Sequence, residues 1–404
     1  MPKKESIPLL YDHHNHPSQY ASFLDSMDLS DIKNKEEAKR KIDYETKKDE
    51  LNVILGWNDS YYSFSKNELE RYPPLIICNI SLHGFLYNEK AIQIIEDDHG
   101  DSALLKRSSD PEWMEKNLPA ITKLLLKIKG LDEKRLESFY EYLSEKGIWK
   151  VEDMHLHHES FLEIFEKLKL LERTDFWVNI DTFKNMSKKN KDKIKGIKVF
   201  TDGALGPQTA AIGTNYTDNE DGFLLYDKSK LEDLIREIQK ERISIHAIGD
   251  RAIEQVITSL EELEKEGFSQ PEIRIEHAQF IDKKMAEKAK TLGITLSMQP
   301  NFSLDSQHYS DRLSKKYLEM NNPFRMLIDE VGFVPGEDII FGSDGMPHGA
   351  RAALEASLYP PYENQRLTLQ EFQEGYCIED HSLGQIDFSR NDSKERILVE
   401  NISF

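Results

Sequence analysis

From residue 148 onward the chain repeats one pattern: a short apolar run, then a polar segment of helical length. The runs are IWKVEDM (148–154), DFWVNI (175–180), GIKVFTDG (196–203), ISIHAIG (243–249), IRIEHAQ (273–279), ITLSMQP (294–300) and DIIFGSDG (338–345). Helical segments are predicted at 159–171, 228–241, 251–266, 282–291 and 314–330. Short runs that stay apolar through both phases of a strand fit a sheet covered on both faces, and strands alternating with helices make that sheet parallel. Ile7 to Tyr11 supplies an eighth run near the N-terminus. Eight βα units predict a (β/α)8 TIM barrel. A doubly wound sheet is the rival, but no glycine-rich dinucleotide turn follows an early strand.

Residues 17–147 interrupt this pattern after its first strand. They are mostly polar and helical, with one clear strand, LIICNIS (75–81). A segment of that length is no ordinary barrel loop, so it is expected to be an inserted subdomain capping the active-site mouth. The barrel is then assigned to 1–16 and 148–360, and residues 361–404 to a C-terminal tail ending in a strand, RILVENISF. Trp57, His83 and Asn88 are the insertion's candidates for touching substrate, although each residue type is commonly structural.

The ends of the strands carry the chemistry. His246 and His277 close two neighbouring runs, at the barrel face where active sites are built. DHHNH follows the first run, and strand periodicity puts His14 and His16 on one side, able to grip one ion together. Lys198 is in phase with Phe200 and Asp202 and out of phase with Ile197 and Val199. An amine facing a barrel interior is costly unless paired, neutralised or modified, and a carbamate formed on it is an anionic ligand able to bridge two ions. Asp344, between glycine and serine neighbours in FGSDG, can ligate a metal and accept a proton. Each residue alone has an ordinary explanation: a satisfied core histidine, a snorkelling lysine, a turn aspartate. Together they fall at the ends of five strands.

Composition narrows the function. A formal charge of −20 with no basic stripe argues against nucleic acid. Two cysteines, Cys78 and Cys377, exclude a disulfide framework and indicate a reducing compartment. Neither a signal-peptide core nor a membrane-spanning run is present, so a cytoplasmic protein acting on a small molecule is expected, without a membrane partner and compatible with a homodimer.

IKVFTDGALGPQTAA, IHAIGDRA, RIEHAQ, SMQP and FGSDG, with GW at 56–57 and His83 spaced five residues before Asn88, resemble the amidohydrolase superfamily over roughly residues 8 to 350. The branch they look like contains N-substituted formamide deformylases and exoenzyme-regulator-type amidohydrolases. The resemblance implies a binuclear centre: His14 and His16 on one ion, His246 and His277 on the other, carboxylated Lys198 between them, and Asp344 as both ligand and general base. A hydroxide bridging the ions would attack the carbonyl of an amide, formamide or cyclic amide, and Asp344 would return the proton to the leaving nitrogen. Two Zn2+ ions fit the nitrogen-rich ligands best, with Mn2+ or Fe2+ also accommodated. By similarity His83 and Asn88 belong to the substrate pocket, and Trp57 and Asp202 are grouped with them. A lactonase or phosphotriesterase on the same barrel, or a metal-binding regulator without turnover, are the alternatives.

Four departures from the pattern stand out. Relatives carry a β-sandwich built from both ends of the chain, here expected to be missing or vestigial. Pro207 and Gln208 stand where relatives usually have Ser and Arg, Asp153 is followed by MHLHH instead of a small residue, and Gly345 replaces a bulkier residue. His155 and His157 imitate a second metal pair but are read as a histidine cluster, His348 as a pocket neighbour, and His99, His308 and His381 as surface or packing residues.

Overall fold

Eight parallel strands follow one another in chain order around a nearly closed barrel: Leu10–Asn15, Ile148–Asp153, Thr174–Val178, Ile194–Phe200, Ile243–Ala247, Ile273–His277, Thr295–Met298 and Ile339–Phe341. The chain is a (β/α)8 barrel. The computed structural model describes residues 2–404 apart from 60, 81, 215, 218–221, 239–240 and 269–271.

Register explains how the strands sort their side chains. Ser244 pairs with Lys198, Ile245 with Val199, and His246 with both Phe200 and Glu276. Alternation then sends Lys198, Ser244, His246, Arg274 and Glu276 to one face and Ile197, Val199, Ile243, Ile245, Ile273 and Ile275 to the other. The isoleucine and valine face meets the helix layer, whose apolar stripes include Leu231 and Ile235 on Lys228–Ile238, and Val256, Leu260 and Leu263 on Asp250–Lys265. The opposite face lines the barrel with polar groups, all buried.

Those buried charges compensate one another. Arg274 donates through Nε to Glu276 and through Nη1 to Glu152, at 2.9 Å. Glu152 also accepts from Trp177 Nε1 at 2.6 Å and from Lys195 Nζ at 2.8 Å. Such a network persists only because each charge has a partner; removing one member leaves another buried and unpaired.

No backbone ladder joins the first and eighth strands among the described residues, and side chains together with a backbone bond close that seam instead. Asp12 accepts from the Ser343 backbone N–H at 2.7 Å and from its hydroxyl at 2.5 Å, and Asp344 N–H donates to His14 O at 2.7 Å. The seam is tight: a Cβ on Gly342 would lie 2.3 Å from His14 N and 2.9 Å from Asp12 Oδ1. Gly342→Ala is expected to cost about 1–3 kcal/mol by overpacking, measured as a lowered denaturant midpoint of the metal-free protein. An unchanged midpoint would mean the two strands part freely.

The predicted first strand is divided. Lys3–Pro8 pairs antiparallel with Gln385–Asn391, which pairs in turn with Arg396–Ser403, while the barrel strand begins only at Leu10. The apolar run IPLL therefore serves two sheets, and its hydrophobicity signals burial without saying in which. This three-stranded sheet is built from both ends of the chain. The tail also holds a helix, Leu369–Tyr376, started by a Thr368–Glu371 capping box and burying Phe372 and Tyr376. The helix expected over 314–330 is a short one, Lys315–Met320, followed by a π-helical turn at Met326–Val331; Pro323 lies between them.

Contacts divide the chain into two compact units, residues 1–21 with 132–404, and residues 22–131. The second is narrower than the interruption read from sequence, because the helix Glu133–Glu145 packs in the barrel unit: Tyr140 OH meets Thr174 Oγ1 at 2.5 Å. Within residues 22–131, Met27–Asp28, Asn52–Trp57 and Leu75–Asn79 are parallel and Phe85–Tyr87 is antiparallel, making a four-stranded sheet where one strand was expected. Two apolar clusters flank it, one around Ile76, Ile92 and Leu125, the other around Ile54, Leu75 and Ile77. No described helix is long and apolar enough to cross a membrane.

Candidate metal centre

Strands one, four, five, six and eight deliver six side chains to the barrel's C-terminal end. His14, His16 and Asp344 form a group whose ligand atoms all lie within 4.8 Å of one another. Asp344 Oδ1 is 3.2 Å from His16 Nε2 and 3.7 Å from His14 Nε2. The His14 ring is 4.7 Å from that of His277, which is 4.6 Å from that of His246. Lys198 is 2 % exposed, and its Nζ sits 5.3 Å from the centre of the Phe200 ring, itself 5.4 Å from His246.

Backbone strain marks two of these positions. Strict alternation would send His277 outward with Ile273 and Ile275. Instead His277 and Ala278 adopt φ of +69° and +46°, ending the strand and bringing the imidazole to its neighbours. Asp344 has φ +53°. Left-handed backbone at a non-glycine residue costs on the order of 1–3 kcal/mol and persists where the surroundings hold it, as the His14 carbonyl holds the Asp344 N–H.

Each of three imidazoles has one nitrogen bound to an acceptor. His14 Nδ1 lies 2.6 Å from Glu276 Oε2, His277 Nδ1 lies 2.7 Å from Gln299 Oε1, and His246 Nε2 lies 3.0 Å from Gly203 O. A neutral imidazole that donates from one nitrogen carries a lone pair on the other. Burial, reinforced by the positive charge of Lys198, pushes His14 down to about 4; burial and the neighbouring histidines hold His277 well below the usual range. Both are therefore neutral at pH 7. Burial alone would raise the Asp344 carboxyl, but His14, His16 and His277 pull it below the ordinary carboxylate range, so it stays ionised. Burial likewise pushes the Lys198 amine down to about 8, against the pull of Glu276. Among the described residues Lys198 Nζ has no hydrogen-bond partner, and neither does His16 Nδ1. A buried amine without an acceptor, beside neutral imidazoles and an ionised carboxylate, is a donor set that fits a divalent cation.

The other candidates are placed as follows. Asp202 accepts from the backbone N–H groups of Ala211, Ile248 and Gly249 at 3.0, 3.1 and 2.8 Å and lies 3.4 Å from His246 Nε2. It pins two loops behind that histidine. Within residues 22–131, Asn88 is the N-cap of Glu89–His99, accepting from Ala91 N–H and donating to Leu69 O and Pro73 O. Trp57 Nε1 donates to Tyr62 O at 2.7 Å, and His83 Nδ1 is 2.8 Å from Glu115. His155 and His157 are buried with rings 3.9 Å apart, and His155 is 5.6 Å from Phe200. Asn179 Oδ1 caps a helix through Thr182 N–H, so its Nδ2 donates to His155 Nε2 at 3.1 Å. His348 meets Tyr20, Phe139 and Tyr142 edge-on, with Nε2 3.3 Å from Asn15 Oδ1. His308 and His381 are exposed and His99 is half-buried.

Sequence reasoning overlooked Glu276, Gln299, Asp12 and Arg274, which hold the centre from behind. One signal was available. In IRIEH the charged pair Arg274 and Glu276 alternates inside an apolar strand, the period-2 pattern of a polar face turned inward.

A profile of the amidohydrolase family matches residues 6–352. YtcJ of Bacillus subtilis (strain 168) is 24 % identical over 366 residues, covering 80 % of this chain and 68 % of its own length. The protein LONG AFTER FAR-RED 3 of Arabidopsis thaliana is 25 % identical over 304 residues, covering 65 % and 52 %. Among solved structures, an uncharacterized metal-dependent hydrolase from Pyrococcus furiosus superposes with a TM-score of 0.65 at 21 % identity, covering 92 % of this chain and 80 % of that one. Its counterpart from Pyrococcus horikoshii OT3 gives 0.65 at 20 %, covering 94 % and 78 %. At those identities the structural likeness speaks for the fold. The family match spans most of the chain, which therefore belongs to the amidohydrolase family and is a hydrolase.

Proposed function

We propose that the chain hydrolyses carbon–nitrogen bonds other than peptide bonds, in amides, N-substituted formamides or cyclic amides, at a centre of two divalent cations. The observation that carries this reading is the buried Lys198 amine, without a hydrogen bond, facing neutral His14 and His277 and ionised Asp344. His14, His16 and Asp344 would hold one ion and His246 and His277 the other. Lys198 would serve as an anionic ligand if its neutral amine added carbon dioxide, forming an N–C bond and releasing one proton to leave a carbamate. Ions bound there supply Lewis acidity toward a carbonyl and toward water. Zinc would suit the four imidazole ligands, and manganese or iron would also be accepted.

Asp344 is the proton carrier. Its carboxylate is ionised at neutral pH, so it can take a proton from the attacking water and return it to the departing nitrogen, which must be protonated to leave as an amine. His14, His277 and Lys198 are buried, as are Arg274, Glu276 and Glu152 in the barrel interior.

Metal analysis of the purified protein, with initial rates on a panel of formamides, N-acyl amines, hydantoins, lactones and phosphotriesters, tests the reading. Up to two ions per chain with turnover confined to the amide members is the expected result. Turnover of lactones or phosphotriesters alone would move the enzyme to the other hydrolase class. Metal binding without any turnover would make it a regulator.

A further inference from the structure

We infer that Glu276 is a positioning residue for the metal centre: it fixes His14 in the tautomer whose Nε2 lone pair faces Asp344 and the ion. The inference rests on the metal-binding reading above. Glu276 lies on strand six, one residue before His277, yet serves a histidine 262 positions away.

Its two oxygens are fully used. Oε2 is 2.6 Å from His14 Nδ1, while Oε1 accepts from Ser244 Oγ at 2.6 Å and from Arg274 Nε. An ionised carboxylate accepts only, so the proton between Glu276 and His14 sits on Nδ1 and Nε2 is left with its lone pair. Arg274, a permanently charged guanidinium, donates to Oε1 beside the Ser244 hydroxyl, and a carboxylate paired in this way stays ionised and acts as an acceptor.

Among the three buried imidazoles, His14 alone has a carboxylate as its donor-side hydrogen-bond partner. His277 faces an amide oxygen, and His246 Nε2 lies closest to a backbone carbonyl, at 3.0 Å, with the nearest Asp202 oxygen farther off at 3.4 Å. A carboxylate behind a ligating histidine fixes the ring and increases its basicity, and losing such a partner typically weakens metal binding about 10–100-fold. Glu276 is itself anchored: Arg274 continues to Glu152, which receives Lys195 and Trp177, so the carboxylate cannot swing away without unpairing buried charge.

The test strips the protein of metal and titrates it with Zn2+ against a chromophoric chelator. Glu276→Gln keeps the size and one acceptor but removes the charge, and is expected to weaken binding about 10–100-fold. Ser244→Ala, which deletes only the hydroxyl bond to Glu276, should give a smaller shift in the same direction. A purely structural role would lower the melting temperature of the metal-free variants and leave Zn2+ affinity at the wild-type value, and that result overturns the inference. Should Glu276→Gln fail to fold, 15N NMR of metal-free wild-type protein decides: His14 protonated on Nδ1 supports it, and protonation on Nε2 refutes it. If wild-type protein binds no Zn2+, the metal-centre reading falls too, whereas equal binding by wild type and Glu276→Gln removes Glu276 alone.

Discussion

Asp344→Asn is expected to lower kcat by about 10²–10⁴-fold, the usual contribution of a positioned acid–base group, while leaving much of the metal in place. The asparagine amide keeps the shape and one ligand oxygen, and Tyr20 OH still donates to the residue's backbone carbonyl at 2.9 Å. It cannot accept a proton, and the water and the leaving nitrogen lose their shuttle together. KM should change little, because the side chain acts on the proton and not on substrate affinity. Metal content by plasma emission spectroscopy, set beside kcat on the best substrate from the amide panel, checks the prediction. Activity within tenfold of wild type would remove Asp344 from its assigned role.

Lys198→Met is expected to reduce metal content below that of wild type and to cut kcat/KM by roughly 10²-fold or more, each factor of ten being about 1.4 kcal/mol of lost transition-state stabilisation. Methionine fills the same buried space without a nitrogen, so folding should survive and the loss should fall on the centre. Two further readings separate a carbamate from a plain lysine. Formate or acetate in millimolar amounts should partly restore the variant by taking the position that the carbamate's oxygens would occupy beyond the methionine. Wild-type protein refilled with metal in bicarbonate-free buffer under nitrogen should recover more slowly than with bicarbonate present. Full recovery without bicarbonate would leave Lys198 an ordinary amine.

The barrel was legible because its signal is local: apolar runs at strand length, separated by helical stretches, recur from residue 148 to residue 345. The six candidate positions could be read for a related reason, since the strand ends to which they attach are visible in the same pattern. What escaped depends on contacts far apart in sequence. Nothing within IPLL says that Pro8 and Leu10 belong to different sheets; the pairing of Lys3–Pro8 with Gln385–Asn391 decides that. Asn52–Trp57 escaped because three apolar residues before a glycine are weak evidence for a strand until Leu75–Asn79 lies beside it. His277 was placed correctly at a strand end, but alternation alone would have aimed it outward. Its left-handed φ is set by the surrounding fold and has no counterpart in the local pattern. The carboxylate behind His14 was hidden for the same reason, although the alternation of Arg274 and Glu276 was open to view.

The seam held by Asp12 and Ser343 joins residues 331 positions apart. On a ribosome adding roughly 5–20 residues per second, the first histidine pair emerges about 15–65 s before the aspartate that completes its group. The candidate metal group of His14, His16 and Asp344 is thus assembled only once residue 344 has been made, and a chain interrupted before it carries two histidines without their aspartate and an open barrel.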